Sequence, residues 1–138
     1  MPEPGRRWPA PLASAQRRRV AGLAALLGGS GVLHLVVPDL YARIVPPQLG
    51  DARRWVLGSG VVEIGCAALL AAPPTRRAGG WAAAGLFVAV FPANVYSVRV
   101  VRGSRPAQAV AVARLPLQVP MVTAALRVAR DATVSGRR

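Results

Sequence analysis

The chain has 138 residues, 53% of them hydrophobic, and it carries a formal net charge of +13 with only five acidic residues. So high a hydrophobic content beside so large a charge argues against an ordinary soluble protein, and the length predicts one domain. Apolar segments that dissolve in lipid, joined by basic loops, would give both numbers at once.

Four apolar runs follow one another along the chain and predict an all-α fold, a four-transmembrane-helix bundle of an integral membrane protein. At about 1.5 Å per residue, each run would form a helix of roughly 26 to 30 Å, close to the thickness of the hydrocarbon layer. Turn-forming residues and nearly all the charge lie between the runs, as in "APPTRRAGG". The predicted spans are residues 20–37, 56–72, 81–98 and 107–126.

Residues 20–127 are therefore predicted to form the membrane domain, with basic tails at both ends. We expect residues 1–19 to be disordered, and residues 128–138 to form a second basic tail. A secretory signal is the alternative for the first span, because three arginines precede it. No small-x-small cleavage site follows His34 before the polar loop, which argues against that alternative.

The distribution of arginine predicts the orientation. If the N-terminus is inside, eleven arginines of the tails and loops fall on the cytoplasmic side and six outside. The positive-inside rule then places both termini in the cytoplasm. The chain has no lysine and is rich in Ala, Gly, Pro and Val, which suggests a GC-rich bacterial genome and hence the bacterial cytoplasmic membrane.

The basic charge does not predict a nucleic-acid partner, because the arginines are spread over both ends of the spans and no stacking aromatics lie among them. The predicted partner is the lipid bilayer, with arginines near anionic head groups. The single Cys66 cannot form an internal disulfide, and no CxxC, HExxH or other metal-ligand spacing predicts a metal site.

Every predicted span contains polar or ionisable residues, which are costly in lipid and therefore need a reason. Counted from the outer ends, they lie in the outer half or the middle of the spans, so we expect them to meet in one polar cavity near the external side. Glu63 and Arg114 share a depth of about 10 Å and are predicted to form an ion pair. The candidate intramembrane site comprises His34, Glu63, Asn94, Arg114 and Gln118.

Three prolines lie in the same region. Each removes a backbone donor, leaves the carbonyl four residues earlier without its partner, and predicts a helix kink. Such gaps survive in a membrane only where protein or water satisfies them. In "VFPANVYSV" the proline and the asparagine are therefore expected to act together. The predicted kinks are at Pro92, Pro116 and Pro120.

The loop of residues 38–54 is the only sizeable connection between spans. Its apolar residues predict that it lies on the bundle or membrane surface as a lid and stiffens at its two consecutive prolines. These apolar residues are Leu40, Tyr41, Ile44, Val45 and Leu49.

Four segments, in chain order, resemble the DoxX-like family of small four-helix bacterial membrane proteins. They are "SGVLHLVVPDLYARIVPPQL", "SGVVEIGCAALL", "VFPANVYSV" and "RLPLQVPMV", and the resemblance runs from about residue 22 to residue 127. The family recurs with His in the first span, Glu in the second, Pro-x-Asn in the third and Arg-x-Pro-x-Gln in the fourth. The matching residues are His34, Glu63, Pro92, Asn94, Arg114, Pro116 and Gln118.

The resemblance implies a link to redox complexes, because the family takes its name from a protein associated with a terminal quinol oxidase. On that expectation the protein is an accessory subunit of a membrane redox or quinone-linked complex. A quinone is then the candidate cofactor, His34 and Glu63 are proton carriers, and other membrane or redox proteins are candidate partners.

No haem-ligand pair, flavin motif or reactive dithiol accompanies these residues, so no catalytic residue is assigned. One alternative is a non-catalytic binding or assembly protein whose polar network holds a small ligand or a partner. Another is a purely structural network that fixes helix register. Transport is the least favoured of the functions considered.

Overall fold

A computed structural model describes residues 14–135 of the chain. These residues form five α-helices and two short 3-10 turns, Pro47–Leu49 and Pro73–Thr75. The described part contains no strand, so the predicted all-α class is confirmed. The helices are α1 Ser14–Val36, α2 Pro38–Ala42, α3 Ala52–Ala71, α4 Arg76–Val100 and α5 Arg105–Ser135.

The long helices α1, α3, α4 and α5 pack into a four-helix bundle. Each is long and apolar enough to cross a membrane. Helix α1 packs mainly on α3, and α4 mainly on α5; the two pairs meet through α3 with α4 and, less extensively, through α1 with α5. The fold is that of a multi-pass membrane protein, as the four apolar runs predicted.

Helix α1 begins earlier than hydropathy predicted. Residues 14–19, which were expected to belong to a disordered tail, are helical. In this first part of the helix Arg19 lies 3.9 Å from Asp131 of α5, between a guanidinium nitrogen and a carboxylate oxygen. Helical structure is compatible with basic residues whose charged ends reach water or a partner. The rest of that predicted tail, residues 1–13, lies outside the described residues.

Helix α5 also continues beyond the predicted membrane domain, here through packing against α4. Residues 128–135 were expected to form a basic tail but are helical, and Val128 is fully buried. The contact with α4 is close here, because a Cβ atom added to Gly80 would lie 2.7 Å from the carbonyl oxygen of Ala125. Packing on α4 therefore continues to Ala129, past the end that hydropathy predicted. Residues 136–138 lie outside the described part.

The loop before α3 is fixed by backbone capping. The side chain of Asp51 accepts hydrogen bonds from the backbone N–H groups of Arg53 (3.1 Å) and Arg54 (3.3 Å), which have no partner within the first turn of a helix. Gly50 has a φ of 77°, a conformation that residues with a Cβ rarely adopt. The start of α3 is thus defined by two adjacent residues with distinct roles.

Helices α1 and α3 approach one another most closely where two glycines face each other. A Cβ added to Gly31 would lie 2.7 Å from the carbonyl oxygen of Gly60, and one added to Gly60 would lie 2.9 Å from the carbonyl oxygen of Gly31. No other residue type fits this crossing without a shift of the backbone. The small-residue contact is the kind through which membrane helices associate closely.

We predict that Gly60→Ala destabilises the bundle, because its new methyl group would overlap backbone and the Cβ of His34, 2.9 Å away. Such overpacking typically costs about 1–3 kcal/mol. The matched control is Gly65→Ala on the same helix, where a Cβ would meet nothing within 4 Å. Thermal unfolding in detergent can be followed through reaction of the single buried Cys66 with a thiol dye. Equal midpoints for the two variants would contradict the close crossing.

Candidate intramembrane binding site

A cavity of about 360 Å³ lies between the four long helices and beneath the loop that joins α1 to α3. Its wall is mainly apolar and includes Leu27, Phe87 and Met121. The five polar residues predicted from the sequence all line this one cavity. They are His34 from α1, Glu63 from α3, Asn94 from α4, and Arg114 and Gln118 from α5.

Glu63 is held by residues of α1 and of its own helix. The Ser59 hydroxyl donates a hydrogen bond of 3.1 Å to Oε1 of Glu63. The Nδ1 atom of His34 lies 3.4 Å from Oε2, within ion-pair distance. Glu63 is only 6% exposed, so the carboxyl group is buried at the contact between α1 and α3.

His34 is positioned from two sides. Its Nδ1 atom lies 2.7 Å from the backbone carbonyl oxygen of Ser30, one turn earlier in α1. Its ring stacks on Tyr41 of α2, with the ring centres 4.1 Å apart and the planes inclined by 26°. Since a carbonyl oxygen only accepts hydrogen bonds, Nδ1 carries the ring proton in this arrangement.

The predicted ion pair between Glu63 and Arg114 is not formed. Within the described residues, the carboxyl group of Glu63 has His34 as its ion-pair neighbour. The bundle order explains the difference, because α3 packs mainly on α1 and α4, which places α5 diagonally across the bundle. Arg114 lines the cavity but is exposed and forms no hydrogen bond or ion pair with another described residue. Equal depth in the membrane did not imply contact.

Asn94 and Gln118 join α4 to α5. The Asn94 amide nitrogen donates a hydrogen bond of 3.3 Å to the side-chain oxygen of Gln118. The Gln118 amide nitrogen in turn donates to the backbone carbonyl oxygen of Phe87. That carbonyl precedes the one on Val88 that Pro92 deprives of its helical donor. The bond from Gln118 does not fill the gap at Val88, and the expected partnership of Pro92 and Asn94 stays a prediction.

The helices continue through all three prolines that were predicted to cause kinks. Pro92 lies within α4, and both Pro116 and Pro120 lie within α5. The Thr123 hydroxyl donates a 3.0 Å hydrogen bond to the carbonyl of Pro120. Kinking at these positions stays a prediction.

The loop between α1 and α3 covers one end of the cavity. Four of its five predicted apolar residues line the cavity: Tyr41, Ile44, Val45 and Leu49. The fifth, Leu40, is 62% exposed and does not. Two surface contacts hold the loop to α3. The Arg53 guanidinium lies 2.6 Å from the carboxylate of Asp39, and the Trp55 indole N–H donates a 2.7 Å hydrogen bond to the carbonyl of Leu49.

Two features of the site had little or no sequence signal. The stack of Tyr41 on His34 joins residues seven apart, but α1 ends between them, so the helical spacing does not by itself predict their contact. The backbone carbonyl of Phe87 became a hydrogen-bond acceptor for a side chain of α5. Only the nearby Pro92 indicated that this turn of α4 would have unusual backbone bonding.

The arrangement offers a hydrogen-bonded carboxyl group, an imidazole and a guanidinium in an otherwise apolar space. The described residues contain no group of three or more His, Cys, Asp or Glu side chains placed to hold a metal ion. Cys66 is buried in the core one turn from Glu63 and does not line the cavity. The chemistry available is hydrogen bonding, charge pairing and proton exchange.

A family model described as a domain of unknown function, DUF8561, matches residues 23–129. The chain belongs to the DUF8561 family. No curated protein and no solved structure matches the chain. The DUF8561 domain includes all five polar residues of the cavity and the Gly31–Gly60 crossing. It also extends past Leu126 to Ala129, in agreement with the buried end of α5.

We predict that Glu63 is energetically coupled to His34 and not to Arg114 in the DUF8561 domain. A double-mutant cycle of Glu63→Gln with His34→Phe, which keeps an aromatic ring against Tyr41, should give a coupling energy of about 0.5–3 kcal/mol, as expected for residues in contact. The matched cycle of Glu63→Gln with Arg114→Gln should be additive within about 0.5 kcal/mol.

The free energy of unfolding can be measured by titration with a denaturing detergent in mixed micelles. Strong coupling in the Arg114 cycle and additivity in the His34 cycle would contradict the geometry described above.

Proposed function

We propose that the protein binds a small, mainly apolar molecule with a polar head group in its intramembrane cavity. The observation that carries the proposal is the cavity itself. Its volume of about 360 Å³ falls in the range of about 300–1,000 Å³ usual for small-molecule sites. Its apolar wall interrupted by a few polar side chains is also typical of such sites. A bundle stabilised only by packing would have no need of this space.

We further propose a DoxX-like protein that serves as an accessory subunit of a membrane redox or quinone-linked complex. The support is the resemblance of the four segments that carry the polar residues. A quinone has a flat polar head and an apolar body, which suits the wall of this cavity. Arg114 would donate hydrogen bonds to a quinone carbonyl, and His34 and Glu63 would exchange protons with the head group.

A non-catalytic binding or assembly protein is the second candidate, and a specific observation favours it. The bonds from Asn94 to Gln118 and from Gln118 to the Phe87 carbonyl engage both amide groups with the protein itself. Groups satisfied in this way hold helices together and contribute little to turnover. In this role the cavity would hold a ligand or lipid, and other membrane proteins would be the partners. Transport has no comparable support.

We expect a quinone-type molecule to co-purify with the protein in a mild detergent and to be detected by mass spectrometry of the extract. The variant Ala93→Phe places a phenyl ring in part of the cavity and should reduce the amount of the co-purified molecule. Its matched control is Ala82→Phe, on the same helix but exposed and outside the cavity wall. A partner protein in stoichiometric amount with no small molecule would favour assembly. A small molecule equally abundant in both variants would argue against the cavity as its site.

We also propose the bacterial cytoplasmic membrane as the location, with both termini in the cytoplasm. The support is the distribution of eleven arginines toward the proposed inner side and six toward the outer side. A fluorescent reporter that matures only in the cytoplasm, fused after Arg138, should fluoresce. A dark fusion together with an active periplasmic phosphatase fused at the same site would reverse the proposed orientation.

A further inference from the structure

We propose that the head group bound beside Glu63 is a hydrogen-bond donor, namely a neutral hydroxyl of the phenol or hydroquinone type. An acceptor-only head group, such as an ether or the carbonyl of an oxidised quinone, would not suit this part of the cavity. The inference rests on the proposed ligand-binding function and specifies the chemical class of the ligand. If the ligand is a quinone, the inference predicts that the cavity binds its reduced form, the hydroquinone, in preference to the oxidised form.

The side chains nearest the Glu63 carboxyl group, those of Ser59, His34 and Ser30, can all donate hydrogen bonds. The Ser59 hydroxyl donates to Oε1 at 3.1 Å. The Nδ1 atom of His34 faces Oε2 at 3.4 Å, but its proton is directed to the Ser30 carbonyl oxygen, only 2.7 Å away. Among the described residues, Oε2 consequently has no hydrogen-bond partner, although it is buried. The Glu63 carboxyl group can therefore accept further hydrogen bonds.

A carboxylate can accept about four hydrogen bonds through the lone pairs of its two oxygens. Here one hydrogen bond is made to a side chain that is more than nine-tenths buried and lines a cavity. Buried polar atoms in native proteins nearly always find partners. Oε2 itself is enclosed at the contact between α1 and α3, so a ligand O–H group would donate to the carboxyl group from the side on which Glu63 lines the cavity. A ligand oxygen without a proton would meet Glu63 there oxygen against oxygen.

A second charged group favours a neutral donor over a cationic one. Arg114 lines the same cavity and already places a positive charge there. A ligand ammonium group would be attracted by Glu63 but repelled by Arg114. A neutral hydroxyl group donates its proton to Glu63 without adding a second positive charge to the cavity.

The remaining wall fits the aromatic ring that would carry such a hydroxyl. Phe87, Leu86 and Met121 line the cavity, and aromatic rings pack favourably on both aromatic side chains and methionine sulfur. The lid adds Tyr41 above His34. A phenol ring therefore finds apolar contacts on the wall while its hydroxyl group reaches the polar side chains.

The test compares 4-hexylphenol with 4-hexylanisole, which differ only in replacement of the hydroxyl proton by a methyl group. Binding is measured by calorimetry on the purified full-length protein in detergent, with protein-free micelles as the blank. We expect the phenol to bind at least about tenfold more tightly, because hydrogen bonds to ionised acceptors are the stronger ones. Glu63→Gln should reduce this preference to below about threefold, since a neutral amide is a weaker acceptor.

The matched control is Cys66→Ala, a change one turn along α3 that does not touch the cavity and should leave the preference unchanged. If Glu63→Gln does not fold, Ser59→Ala gives an independent test. It removes the hydrogen bond to Oε1 and frees that atom for the ligand, so the preference for the phenol should be retained or increased. A preference lost in Ser59→Ala would overturn the inference.

The outcomes separate this inference from the function on which it rests. Equal, saturable binding of both probes, unaltered by Glu63→Gln but abolished by Ala93→Phe, would overturn the donor assignment and leave the ligand cavity standing. Absence of saturable binding of either probe, with no small molecule co-purifying, would contradict the ligand cavity itself. Tighter binding of protonated 4-hexylbenzylamine than of the phenol would overturn the choice of a neutral head group.

Discussion

The close contact between α1 and α3 at Gly31 and Gly60 is the constraint on which the site depends. Without a Cβ at either position, the two backbones approach until each glycine nearly touches the carbonyl oxygen of the other. One turn further along each helix, the same approach brings His34 against Glu63. Lipid offers no hydrogen bonds to a carboxyl group, so this contact allows Glu63 to lie inside a membrane bundle. Larger residues at the crossing would push the two helices apart and would thereby separate His34 from Glu63.

The contact between α4 and α5 is made in the same environment through two amide side chains. Pro92 removes a backbone donor from a turn of α4 that lies within the apolar part of the bundle, where water does not replace it freely. Gln118 donates to the adjacent turn at Phe87, and its own oxygen accepts from Asn94. The two amides thus link α4 to α5 one residue before the carbonyl that Pro92 leaves without a helical donor. Their spacing in the sequence reflects the register of α5 on α4.

The sequence predicted the helical class and the number of spans because the apolar length needed to cross a bilayer is a property of each segment by itself. Helix ends were predicted less well, since the packing of α5 at Ala125 and Ala129 depends on Gly80 of another helix. The depth of each polar residue predicted that all five would line one cavity. Depth does not give the position of a residue around the bundle axis, and for this reason Glu63 was wrongly paired with Arg114. Contact partners depend on the order of the helices around the bundle, which the depth of a residue within its own span does not specify.

The two oppositely charged residues of the cavity present themselves to a ligand in different ways. Glu63 is 6% exposed and its position is fixed by Ser59 and His34. Arg114 is exposed and forms no hydrogen bond or ion pair with other residues in the described part of the chain. A head group bound in the cavity, as proposed, would therefore meet a rigid acceptor and an adjustable donor. Rigid groups select geometry because they do not reorganise on binding, whereas a long arginine side chain can accommodate ligands of different size. The missing Glu63–Arg114 ion pair is consistent with this division, because a direct pair would leave neither group available to a ligand.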